Sequence, residues 1–301
     1  MYKDEDILIT GSNGLLGSNF KKLFPNAICI THRDFDLTSE NEVKYMFYLY
    51  QPKVIVHLAA KVGSVNDNHN NQASYYDDNI LMNTLMVKHS YLNKVERFIG
   101  ILSSYMFPSE IDSFPIDEND IHKGSPAPSN LTYSYAKRAL SIQIDSYNKQ
   151  YGTKYNYLTP CNIYGEHEKV NQQKSHFIVA MLLKIKDAVK NNNKKITLFG
   201  DGTPLRQFLF AEDFCKILKI IIDEDIYESL NIATNDNLSI LEVAKLALKV
   251  TNNEHLTIEF DKTKQNGQHR QDISNEKMKK TIPNFQFTSL EDGLLKTYNA
   301  L

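Results

Sequence analysis

The sequence predicts a doubly wound α/β fold, a parallel sheet with helices on both faces. Three observations carry that expectation. Through about residue 160, short apolar runs alternate with stretches of helical spacing. The runs are apolar at successive positions, as strands buried on both faces are. A glycine-rich turn sits directly between the first run and the first helical stretch.

The elements follow in order. Ile7–Thr10 reads as a strand and Leu15–Leu23 as the helix after the turn. Ala27–Ile30 is a second strand. Ser39 and Glu42 stand at capping-box spacing ahead of a helix to Tyr50. Val54–His57, Phe98–Leu102 and Lys154–Leu158 read as strands, with helices at Asn79–Leu92 and Tyr133–Tyr151. The rhythm then loosens. Helices are expected at His176–Lys190, Glu212–Ile222, near Ile240–Val250 and after Ser289. Strands are expected at Ile196–Phe199, Gln207–Phe210, Leu230–Ala233 and Leu256–Phe260. The expected division is a first domain over 1–165 and a smaller C-terminal α/β lobe over 166–301, some of whose segments return to the main sheet.

Composition excludes several classes of function. Apolar residues are 42% of the 301, enough for a sizeable core, and 34 basic against 36 acidic residues leave a net charge of −2. A broadly basic binder of nucleic acid or membrane surface is excluded on that balance. The longest largely apolar stretches, Val54–Ala60 and Phe177–Leu183, fall far short of the ~20 residues of a membrane helix. The acidic start, Met1 to Asp6, is not a secretory signal. Cys29, Cys161 and Cys215 are too few and too scattered for a disulfide scaffold or a zinc ribbon, so no metal is expected and the cytoplasm is the expected compartment. Only five of the basic residues are arginine, which makes the place of each informative.

Two motifs carry chemistry. Gly11-Ser12-Asn13-Gly14-Leu15-Leu16-Gly17 lets the backbone approach a pyrophosphate and aims helix amides at it. Where a ribose-binding acid is expected, after the second strand, stand Thr31, His32 and Arg33. An arginine there suits a 2′-phosphate and favours NADP(H), although Asp34 and Asp36 keep NAD(H) open. The second motif is Tyr133-x-x-x-Lys137, whose spacing puts both side chains on one helix face. A nearby ammonium is expected to lower the phenol pKa from its usual ~10. Ser103, at the end of the fourth strand, is placed to hold a carbonyl oxygen.

With these residues in view, the chain resembles the extended short-chain dehydrogenase/reductase family, in its GDP-L-fucose synthase branch. The likeness takes in His57 to Gly63, Ser103 to Pro108, Thr159 to Gly165, Ser175-His176 and Phe199 to Leu209. It implies a Rossmann domain and a catalytic triad of Ser103, Tyr133 and Lys137, with His176 as an acid–base partner. Cofactor contacts would come from Gly11, Asn13, Gly14, Leu15, Leu16, Gly17, Arg33, Leu58, Ala59, Ala60 and Lys61, together with Tyr133, Lys137 and His176. Ser104, Asn162, Lys184, Phe199, Arg206 and Arg270 would surround a GDP-4-keto-6-deoxy sugar. The resemblance also implies a homodimer through the helices at Asn79–Leu92 and Tyr133–Tyr151. Leu81, Leu85, Met86 and Leu92 offer an apolar face there that the sheet could equally bury.

Two departures stand out. Tyr105 occupies the place of the branch's cysteine, which works with the histidine in epimerisation at C3 and C5. Gln271 stands where a basic residue commonly follows the one matching Arg270. The expectation is therefore an NADPH-dependent C4 reductase without epimerase activity, on a hexose or heptose. The alternatives are a bifunctional 3,5-epimerase/4-reductase and a non-catalytic NADP(H)-sensing regulator. A 4,6-dehydratase would need an Asp-Glu pair where Ser104-Tyr105 stands, and Arg33 argues against an NAD-retaining 4-epimerase.

Overall fold

The computed structural model describes residues 2–63, 65–168, 175–264 and 266–301. Strands β1 (Ile7–Thr10), β2 (Ile28–Cys29), β3 (Val54–His57), β4 (Arg97–Ile101) and β5 (Asn156–Pro160) lie in the first half of the chain. They are followed by β6 (Asn162–Tyr164), β7 (Lys195–Phe199), β8 (Leu205–Arg206), β9 (Phe208–Phe210), β10 (Leu230–Ile232), β11 (Leu238–Ser239) and β12 (Thr257–Asp261). Six of them form one sheet in the order β2-β1-β3-β4-β5-β10, every neighbouring pair parallel. The order reverses at β1, with β2 on one side and β3 on the other. This is the Rossmann-type doubly wound sheet that the sequence predicts. The strands are buried at successive positions, from Ile7 to Ile9 and from Val54 to Val56, because helices cover both faces.

The helices are α1 (Leu15–Leu23), α2 (Glu40–Tyr50), α3 (Val65–Asn70), α4 (Gln72–Leu92), α5 (Leu131–Tyr151), α6 (Phe177–Lys190), α7 (Ala211–Asp223), α8 (Ile240–Val250), α9 (Glu276–Thr281) and α10 (Leu290–Ala300). Helix α1 packs on α7, while α2 packs on α4 and α4 on α5. Two apolar cores result. The first joins the main sheet to Phe214, Ile217, Leu218 and Ile221 of α7 and to Met278 of α9. The second gathers Ile178, Leu182 and Ile185 of α6, Ile196 and Leu198 of β7, Val243 and Ala247 of α8, and Leu294 of α10. Strand β10 and helices α7 and α9 therefore sit with the main sheet although they follow residue 166. Among the described residues no helix is long and apolar enough to cross a membrane.

Two local expectations are corrected. Helix α4 begins at Gln72, well before Asn79. Its first turns lack apolar periodicity and are anchored by hydrogen bonds instead, as where Tyr75 donates to Asp67 at 2.6 Å. The Ser39–Glu42 capping box does not form; Glu42 accepts from the backbone of Asp36 at 2.5 Å. The capping box at Ser239 and Glu242 does form, at the start of α8. Of the four candidate interface residues on α4, Met86 and Leu85 belong to the first core, whereas Leu81 and Leu92 are 47% and 57% exposed.

Candidate active site

Ligands of doubly wound sheets lie beyond the strand carboxyl ends, where the strand order reverses. Here that place is the edge formed by Thr10, His57 and Ile101. Gly11 has φ +66°, and a Cβ on it would stand 2.8 Å from the Ala59 nitrogen. A Cβ on Gly17 would stand 2.5 Å from Ser12 Cα, so this glycine lets α1 pack against its own turn. Gly14 is different. A Cβ there would meet only the Gly11 carbonyl at 3.3 Å, so the approach to it is open. As the N-cap of α1 it supplies no capping side chain, which leaves the first helix amides aimed at the turn. The buried Ser12 hydroxyl has no protein partner. A cradle of amides, bare glycine and an unpaired hydroxyl fits a pyrophosphate.

Beyond β2 the carboxylates are already engaged. Asp34 accepts from the Thr31 nitrogen and hydroxyl, both at 2.8 Å. Asp36 accepts from Thr38 in the same way, at 2.9 and 2.7 Å. These bonds hold both below the usual carboxylate range. Arg33 is exposed, and its backbone nitrogen donates to the Thr31 hydroxyl at 3.2 Å. The guanidinium is a positive charge this edge can offer to an incoming group. Leu58, Ala59, Ala60 and Lys61 follow β3 as a half-buried segment. Asn79 fixes it, accepting from the Lys61 nitrogen at 3.0 Å and donating to its carbonyl at 3.1 Å. The Lys61 ammonium pairs with Asp78 at 2.6 Å.

A buried polar chain links this segment to α5, the helix that carries Tyr133 and Lys137. The Ala59 N–H donates to the Thr10 hydroxyl at 3.0 Å, which lies 2.9 Å from His57 Nδ1. His57 Nε2 is 3.1 Å from Asn83 Oδ1, and Asn83 Nδ2 donates to the Ala136 carbonyl at 3.4 Å. The Ala136 carbonyl only accepts, so it fixes the amide orientation and therefore the Nε2–H tautomer of His57. Burial, with Lys137 nearby, lowers the His57 pKa to about 3, so the ring is neutral.

Tyr133, Lys137 and Ser103 come together above this chain. The Ser103 hydroxyl, which accepts from the Tyr105 nitrogen at 3.3 Å, lies beside the Tyr133 phenol and acts to lower its pKa. Burial is the larger effect and holds the phenol above its ordinary range; Tyr105, close by, pushes in the same direction. The expected lowering by Lys137 is corrected here. The ammonium donates to the Ile101 carbonyl at 2.6 Å and lies 5.8 Å from the centre of the Tyr133 ring. Its own pKa is pulled down to about 8 by burial. Tyr133 is therefore a protonated phenol at neutral pH, the form needed to donate a proton.

The remaining sequence-predicted residues lie in the C-terminal part of the chain and at β6. His176 caps α6, and its Nδ1 is 3.1 Å from Glu168, whose carboxylate raises the imidazole pKa. Asn162 donates to the Gln207 carbonyl at 3.0 Å. Lys184 donates to the Thr197 carbonyl at 2.6 Å and lies 4.6 Å above the ring of Phe199, which is 64% exposed. Arg206 donates to its neighbour's carbonyl, and Arg270 forms a two-pronged pair with Asp272 at 2.5 and 2.9 Å. Sequence reasoning missed the residues that hold the site: Thr10, Asn83, Ser134 and Arg138. For Arg138 a signal existed in the scarcity of arginine. It donates to the Met106 and Gly124 carbonyls at 2.5 and 2.7 Å. No group of three or more metal-ligating side chains forms among the described residues.

Comparison with known proteins agrees with this fold. Residues 7–233 match the family model described as the NAD dependent epimerase/dehydratase family. A GDP-L-fucose synthase of Dictyostelium discoideum is 31% identical over 96% of this chain and 92% of its own length. A GDP-L-fucose synthetase from Naegleria fowleri superposes with a TM-score of 0.89 at 29% identity, covering 100% of this chain and 94% of that one. The structure of that protein bound to NADP superposes at 0.87.

The polar chain makes a testable demand. Asn83→Leu removes the acceptor of His57 Nε2–H inside the protein and is expected to destabilise the fold by about 1–3 kcal/mol. Urea unfolding of the two proteins measures it.

Proposed function

The chain belongs to the NAD dependent epimerase/dehydratase family, and from that premise we propose that it reduces the C4 keto group of a GDP-4-keto-6-deoxy sugar using NADPH. One observation carries the reading. Ser103, Tyr133 and Lys137 stand together at the switch edge with the phenol in its acid form. The sugar-nucleotide class is supported by the GDP-L-fucose synthases among its relatives, and the cofactor by the NADP-bound neighbour.

When bound, NADPH supplies the hydride to C4. The Gly11–Gly17 turn would hold its pyrophosphate, Arg33 its 2′-phosphate, and the segment from Leu58 to Lys61 would line it. The protein's own part is to hold the C4 oxygen between Ser103 and Tyr133 and to give it the phenolic proton. Lys137, fixed on the Ile101 carbonyl at 2.6 Å, would hold the nicotinamide ribose through its ammonium. Asn162, Lys184, Phe199, Arg206 and Arg270 would take the nucleotide diphosphate, with Ser104 beside the sugar. A homodimer through α4 and α5 and a place in the cytoplasm complete the proposal.

Tyr105 favours reduction without epimerisation. Inversion at C3 or C5 needs one group to remove a proton and another to return it on the opposite face. A phenol, with a pKa near ~10 against ~8.5 for a thiol, is the poorer partner, and its oxygen lies beyond the reach of a cysteine sulfur. His176 alone would return the proton to the face it came from. The second reading, a bifunctional epimerase/reductase, is favoured by the names of the relatives.

Three outcomes are expected. NADPH should be preferred to NADH in kcat/KM, with Arg33→Ala weakening NADPH selectively in a cofactor titration. Turnover should fall ~10²–10⁴-fold in Tyr133→Phe, and kcat/KM of the unmodified protein should decline above about pH 8 as Lys137 loses its proton. Incubation with GDP-4-keto-6-deoxymannose and NADPH in deuterated water should give a C4-reduced product with no deuterium at C3 or C5. Efficient formation of a C3- and C5-inverted product would establish the bifunctional reading instead.

A further inference from the structure

Gln271 is turned inward. It is 4% exposed, and its Nε2 donates to the Ser104 carbonyl at 3.1 Å. Ser104 opens the single 3-10 turn, Ser104–Met106, whose N-cap is Ser103. That turn is fastened to the catalytic helix on its other side. Ser134 donates to the Tyr105 carbonyl at 2.9 Å and Arg138 to the Met106 carbonyl at 2.5 Å. Gln271 is the fastening from the C-terminal part of the chain.

The segment that carries Gln271 is itself gripped. Ile273 donates its N–H to Gln207 Oε1 at 2.9 Å, and Gln207 Nε2 donates back to the Ile273 carbonyl at 3.1 Å. The Ile116 nitrogen donates to the Asp272 carbonyl at 2.9 Å, and Ser274 donates to Ile116 at 2.7 Å. Gln207 directly follows Arg206, and Gln271 directly follows Arg270. A continuous set of hydrogen bonds therefore runs from beside both arginines to the turn of Ser103.

Stability alone does not account for this residue. Gln271 Oε1 is buried without a protein partner, a condition that an apolar side chain of similar size would relieve. A lysine at the same place would bring an ammonium into an enclosed site.

We infer that Gln271 is a positioning residue: by holding the Ser104 carbonyl it sets Ser103 against the substrate carbonyl and ties that placement to the segment bearing Arg270. This inference rests on the proposed roles of Ser103 and Tyr133. An error of about an ångström at a reacting group costs on the order of 10²-fold in rate, so a single fastening of this turn is enough to matter.

The test is steady-state kinetics with NADPH and GDP-4-keto-6-deoxymannose on the unmodified protein, Gln271→Leu and Gln271→Glu, with NADPH affinity followed by fluorescence. Gln271→Leu is expected to lose about 10–100-fold in kcat while both KM for the sugar nucleotide and NADPH affinity stay within about threefold. Gln271→Glu is expected to be equally poor at pH 8, because a carboxylate cannot donate to a carbonyl. It should recover as pH falls through its own titration, since a protonated carboxyl can donate. That rise is read within one protein, so it remains decisive where the leucine variant folds poorly. A kcat within twofold for Gln271→Leu overturns the inference. So does a raised KM at unchanged kcat, which would make Gln271 a substrate ligand, or a Gln271→Glu profile parallel to the unmodified protein. An unmodified protein that does not oxidise NADPH with this substrate overturns the functional reading instead, before any variant is compared.

Discussion

A parallel sheet delivers all its strand ends to one edge, and the polar groups buried there must find partners within the protein. Much of this molecule follows from how that demand is met. Thr10 closes β1 by bonding both Ala59 and His57, and Asn83 takes the other side of the imidazole and reaches α5. The Ile101 carbonyl ends β4 on the Lys137 ammonium. The groups that satisfy the edge are the same groups that orient the helix bearing Tyr133. Local stability and the geometry of the site are one requirement.

Burial then decides the protonation states. Burial shifts both Tyr133 and Lys137 toward their neutral forms, the phenol upward and the ammonium downward. His57 is kept neutral on the same ground, which spares Lys137 a second positive charge beneath it. The site therefore presents a protonated phenol beside an ammonium that titrates not far above neutrality.

The sheet was legible because its strands are continuous apolar runs and its first turn is rich in glycine. Strand limits moved by a residue or two, as for β4 and β5. Helix α4 was read too short because Gln72 to Asp78 is polar and is held by specific hydrogen bonds rather than by an apolar stripe. The Tyr133–Lys137 pair was visible from its spacing, but the sign of the phenol shift was not. A four-residue interval records proximity, whereas the shift depends on enclosure by residues far away in sequence. The fasteners Ser134, Asn83 and Gln271 were illegible for a related reason, since each bonds a backbone carbonyl, and carbonyls carry no sequence signature. Arginine scarcity was partly informative: Arg138 holds the turn beside Ser103, while Arg97 is buried against Tyr227 and donates to the Ile226 carbonyl at the far end of the sheet.

The two apolar cores are threaded rather than strung in series. The chain leaves the first core after Cys161, returns with Leu209 of β9 and then α7, leaves again after Ala233, and returns once more through Ile273 to Ile282 before α10 closes the second core. An evolutionary or laboratory exchange of the second core cannot therefore be made as a cassette with two junctions. Two of the crossing segments bond to each other, as Gln207 and Ile273 do. Change in such a scaffold comes by substitution in place, one residue at a time.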